Sequence, residues 1–114
     1  MLPNGANAVI DPLKLTGYLL SPSHPDGAAK ARFFNSFGFT LQDWHVLRDA
    51  LLAHALDHPV AATRTTVFGQ MFEINGRLRS PDGRNPIVPV VWEIPNGGDR
   101  PRLVTAVPSR EGKT

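Results

Sequence analysis

The stretch KLTGYLLSPSHPDGAAKARFF, from Lys14 to Phe34, sets Lys14, His24 and Lys30 among aliphatic and aromatic neighbours. An imidazole that titrates near neutrality, placed beside ammonium groups, can move protons and stabilise a phosphoryl anion. Metal-independent RNA cleavage asks for little more. The RNA brings its own nucleophile, the 2′-hydroxyl, so the protein need supply only a base, an acid and cations for the crowded phosphorane. His24 lies in a loop stiffened by Pro22 and Pro25 and is expected as the general acid or base. Lys30 follows one turn into a helix whose first N–H groups favour phosphate. Lys30 also precedes Phe33, Phe34 and Phe37 by helical intervals, so it shares their side. The plainer reading is that its methylenes cover those rings while the ammonium reaches water. Near the C-terminus Arg102 and Thr105 are candidate phosphate ligands, but three positions apart they face opposite ways in a regular strand. Only a bulge or a loose strand start would unite them.

Other chemistries fit less well. His54 and His58 are four apart and His45 precedes them, but there is no Cys and no H-E-x-x-H, so helix-end or surface histidines explain them and no metal is expected. Neither a phosphate-cradling glycine loop nor G-x-S-x-G is present, and no Asp/Glu pair recurs at metal-ligand spacing. Lack of cysteine also removes disulfides and thiolate nucleophiles, which fits a cytoplasmic location. Neither a signal peptide nor a run of about eighteen apolar residues is visible, so no membrane role is expected. The net charge of +2 is modest, yet residues 60–114 hold eight Lys/Arg against five Asp/Glu. Arginine supplies nine of the twelve cations, and Arg77, Arg79 and Arg84 are candidates to grip an RNA backbone with Lys14, unless they only solvate a strand surface.

The elements that must position these groups follow from periodicity. With 114 residues, 41% hydrophobic and 19% charged, the chain forms one folded domain. Residues 1–10 read as a flexible arm, 11–108 as the domain and 109–114 as a flexible tail. Asp11-Pro12 caps a short helix with Leu15, Tyr18 and Leu19 on one face, ending before Ser21-Pro22. Asp26 is expected to cap a second helix that Gly38 stops. Thr40, with Asp43 three residues on, is expected to open a third that runs to about Leu56 with Trp44, Leu47 and Leu51 inward. Beyond residue 62 the period becomes two: Phe68, Phe72 and Ile74 share a strand face, and Val90, Trp92 and Ile94 alternate on another. SPDG and PNGGD make turns, Pro86 and Pro89 imply an irregular strand start, and Arg102–Val107 forms the last strand. The fold class is α+β, with N-terminal helices on one face of a three- to four-stranded antiparallel sheet.

The Lys14–Phe34 head, Gly38, and the tail VVWEI with PRLVTAVP resemble a bacterial family known only as a domain of unknown function, over about residues 9–108. That family is similar in layout to ribonuclease toxin domains of the barnase, colicin and RelE type, found in toxin–antitoxin and polymorphic toxin systems. The resemblance implies an RNA substrate, a small antitoxin encoded nearby, and family-like polar positions at Lys14, His24, Lys30, Trp92, Arg102 and Thr105. Trp92 would then contact substrate. The tail reads T-A-V-P where relatives carry T-A-Y-P, so Val107 stands in place of a tyrosine. Two functions compete: a metal-independent endoribonuclease toxin without cofactor, and a non-catalytic interaction module such as an antitoxin or immunity-like partner. An exposed strand edge leaves room for a homodimer.

Overall fold

A computed structural model describes residues 1–108. Three helices precede a four-stranded antiparallel sheet in the order β1-β2-β3-β4, the α+β class expected from the period change. Asp11 accepts the Leu13 N–H at 3.0 Å and Pro12 occupies the first turn, so α1 (Pro12–Lys14) starts as its sequence requires. It continues into a wider π-helical turn (Leu15–Leu19), closed by Leu20 N–H donating to Leu15 O at 2.8 Å. α2 (Ala28–Ser36) ends before Gly38, whose φ of 98° suits glycine. α3 spans Trp44–Asp57. Its expected N-cap, Thr40, instead accepts the Asp43 N–H at 3.2 Å and forms the turn before the helix.

β1 (Val60–Thr66), β2 (Gly69–Ile74), β3 (Val90–Pro95) and β4 (Arg102–Ala106) are joined in sequence. Phe72, Trp92 and Leu103 pair across one row, Ile74, Val90 and Ala106 across another, and all six are buried against the helices. Leu15, Leu19, Leu20, Phe34, Leu47 and Leu51 complete that core. The opposite face stays open. It carries the rows Ala62, Glu73, Val91, Thr105 and Arg64, Met71, Glu93, Arg102. Between Leu103 and Thr105 the register slips, leaving Val104 as a bulge. This slip brings Arg102 and Thr105 to the same open face, the condition under which they can act together.

Several expectations are corrected. Residues 1–10 dock rather than hang free: Leu2 is 5% exposed, and Val9 bridges Arg102 in parallel, its N–H donating to Pro101 O at 2.9 Å. The tail 109–114 lies outside the described residues. Phe68 does not share the inward face of Phe72 and Ile74. The Thr66 hydroxyl accepts the Phe68 N–H at 3.1 Å and turns the chain there, so Val67 and Phe68 stand 83% and 71% exposed at the β1–β2 tip.

His54 is not a surface histidine. It is buried on α3, and its Nε2 lies 2.9 Å from Val88 O and 3.1 Å from Gly76 O, pinning the 75–88 segment, while Nδ1 has no hydrogen-bond partner among the described residues. His58, with its ring centroid 4.9 Å from that of His54, places Nε2 3.0 Å from Arg77 O. Burial, and then the neighbouring His58, hold the His54 pKa below 6.5, although the two carbonyl contacts and Asp57 oppose them. The unfolded chain therefore takes up this proton first. Stability is full above pH 6.5 and falls as pH drops below it, by up to about 1.4 kcal/mol per pH unit. Urea midpoints at pH 7.5 and 5.5 should differ by more in the wild type than in His54→Gln, which cannot titrate.

Candidate functional site

Where the start of α2 meets the edge of β4, an open hollow of about 560 Å³ is lined by Lys14, Tyr18, His24 and Thr105 together with Asp11 and Asp26. Each side chain is placed by local chemistry. His24 Nδ1 accepts the backbone N–H groups of Asp26 and Gly27 at 2.9 and 3.0 Å and so closes the turn that leads into α2, whose N-cap is Gly27 rather than the expected Asp26. Gly27 makes that turn fit: a Cβ there would lie 2.1 Å from Tyr18 O. The His24 ring packs edge-on to Tyr18, centroids 5.1 Å apart. With Nδ1 committed as an acceptor, the ring hydrogen sits on Nε2, and His24 enters the site as a hydrogen-bond donor. That differs from the general acid or base expected of it.

Lys14 donates to the carbonyl of the bulged Val104 at 3.2 Å. Lys30 stands behind the hollow, donating to Thr105 Oγ1 at 3.0 Å and lying 3.4 Å from Ala106 O. The Tyr18 hydroxyl is 3.0 Å from the same Thr105 Oγ1. Both ammonium groups lie over the Tyr18 ring, 5.8 Å (Lys14) and 5.5 Å (Lys30) from its centroid. One cation, two linked hydroxyls and an imidazole N–H thus face one water-accessible depression, with Lys30 behind Thr105 and the carboxylates of Asp11 and Asp26 in its walls. Such a set stabilises anionic oxygen. Tyr18 was missed from sequence, where its helical spacing marked it as core; the only hint was a phenol among lysines.

Arg102 occupies an adjoining hollow of about 550 Å³ that shares Asp11, Lys14 and Val104 with the first. Its guanidinium is held by Glu93 Oε1 at 2.7 and 3.1 Å. Trp92 is fully buried in the core, its Nε1 without a hydrogen-bond partner among the described residues, so it has no surface on which a substrate could rest, and its expected contact role is withdrawn. Arg77, Arg79 and Arg84 line neither hollow. Arg77 donates to Asn85 O, Arg79 pairs with Asp57, and Arg84 pairs with Asp82, donates to Ser36 O and covers Phe37 at 4.4 Å. The loop's own Asp82 and Asn85, with Ser36 at the end of α2 and Asp57 at the end of α3, supply these acceptors.

A family model described as a domain of unknown function, DUF6883, matches residues 1–110. The chain belongs to this family. No curated protein matches the chain in sequence. Among solved structures, a chain of a "Contact-dependent growth inhibition toxin - immunity protein complex from Klebsiella pneumoniae 342" shares the fold. Its TM-score is 0.71 at 17% identity, covering 94% of this chain and 97% of that one. This DUF6883 domain therefore shares that chain's fold over nearly its whole length. Among the described residues no helix is long and apolar enough to cross a membrane.

Proposed function

We propose that this chain is the toxin of a bacterial toxin system, a metal-independent endoribonuclease acting through the hollow at the β4 edge. One observation carries the reading: His24, Lys14 and Lys30, from the first third of the sequence, converge with Thr105 of the last strand. In the reaction the 2′-oxygen bonds to phosphorus and the bond from phosphorus to the 5′-oxygen breaks, while the 2′-hydroxyl gives its proton to solvent water on one side and the departing 5′-oxygen takes one from solvent water on the other. The products are a 2′,3′-cyclic phosphate and a 5′-hydroxyl. Lys14, Lys30 and the His24 Nε2–H balance charge on the phosphorane, while the Tyr18–Thr105 hydroxyl pair orients the phosphate. Arg102, one hollow away, meets the next phosphate along the strand, and Lys14 borders both. Arg77, Arg79 and Arg84 have no place in this reading.

Inducible expression tests it. Wild-type protein should arrest growth with loss of intact RNA, and a small protein encoded next to it should relieve the arrest. Thr105→Val keeps the strand shape but removes the oxygen shared by Lys30 and Tyr18, and should lower cleavage by about 10–100-fold. A second reading, a non-catalytic partner such as an immunity protein, draws on Val67 and Phe68, which stand exposed at a hairpin tip as contact residues would. Harmless accumulation, with protection against a co-expressed neighbouring toxin, is the result that reading requires.

A further inference from the structure

We infer that the open sheet face beside Thr105 is a nucleobase subsite that reads guanine through Glu73. This rests on the ribonuclease reading. A third hollow, of about 540 Å³, is walled by Ala62, Arg64, Met71, Glu73, Val91 and Val104, and it meets the candidate site at Thr105. Glu73 pairs with Val91 and Val91 with Thr105, so the carboxylate and the hydroxyl share one face with valine as the floor between them. Two strand spacings, roughly 10 Å, separate their backbones. A nucleotide can bridge that gap with its phosphate at Thr105 and its base over Met71 and Val91.

Glu73 is half-buried, yet among the described residues its carboxylate has no hydrogen bond or ion pair. Neither of the two arginines on this face lies within ion-pair distance of Glu73 among the described residues. Arg102 holds Glu93, and Arg64 Nη2 lies 3.6 Å from Met71 Sδ. A carboxylate left with all its acceptor sites in a largely apolar hollow calls for a ligand that brings N–H donors. Of the four RNA bases only guanine offers two adjacent donors, N1–H and N2–H₂, to grip both oxygens. Adenine and cytosine set a ring-nitrogen acceptor beside their single amine, and uracil flanks its one N–H with carbonyls, so each turns a lone pair toward the carboxylate. Unpaired bases are the ones whose edges proteins read in RNA, so the substrate is single-stranded and is cut on the 3′ side of guanosine.

Calorimetric titration of the four nucleoside 3′-monophosphates into the intact protein tests this, since these products cannot be cleaved again. 3′-GMP should bind about 10–100-fold more tightly than the others, and Glu73→Gln should remove that preference without changing 3′-UMP affinity. Circular dichroism confirms that the variant is folded. Four equal affinities, unaltered in Glu73→Gln but weakened by Lys14→Met, would overturn the guanine subsite and leave the phosphate site standing. Binding of none of the four would overturn both.

Discussion

Lys30→Met is expected to slow RNA cleavage by about 10²–10³-fold, the usual cost of removing one preorganised charge from a phosphoryl transition state. Methionine keeps an unbranched stem of similar length, so the loss is confined to the ammonium and its contacts with Tyr18, Thr105 and Ala106. Stability should change by only about 1 kcal/mol, the net worth of one such hydrogen bond. Single-turnover rates on a labelled RNA, with thermal melts of both proteins, separate the two effects. A comparable fall is expected for His24→Asn, whose side-chain oxygen can still accept the Asp26 and Gly27 N–H groups but which offers no Nε2–H. If His24 served only to close the turn before α2, this substitution would leave cleavage intact.

Gly27→Ala carries the other large effect. The added methyl would meet Tyr18 O at 2.1 Å and the carbonyl carbon at 2.9 Å, both backbone atoms that cannot swing aside. Either the π-turn or the start of α2 must retreat, at a cost on the order of 3 kcal/mol. That retreat also parts His24 from Tyr18, and a displacement of about 1 Å at a catalytic group can cost 10²-fold in rate. Gly17→Ala is the control, because a Cβ there meets nothing within 4 Å. Denaturant midpoints should fall sharply for the first variant and hardly move for the second.

How far these features were legible depends on whether the signal was local. The helix starts at Asp11-Pro12, the Gly38 stop and the inward alternation of Val90 and Trp92 could be read directly, because capping and period act within a few residues. The same alternation places Trp92 in the core, against the substrate contact that the family resemblance implies. Lys30 was placed on the side of the phenylalanines by spacing alone, but its partner, Thr105, lies 75 positions away and is invisible to any window. The bulge at Val104 that aligns Arg102 with Thr105 leaves no sequence mark, since neither glycine nor proline forms it. Arg77, Arg79 and Arg84 were weighed as a charge run. Asp57, Asp82 and Asn85 were already in place to engage them.

The most direct test is to incubate purified protein with single-stranded RNA in excess EDTA and to analyse the new ends. The account predicts fragments bearing 2′,3′-cyclic phosphates and 5′-hydroxyls from the wild type, and almost none from Lys30→Met. Intact RNA in the presence of folded wild-type protein, or cutting that Lys30→Met leaves undiminished, would contradict it.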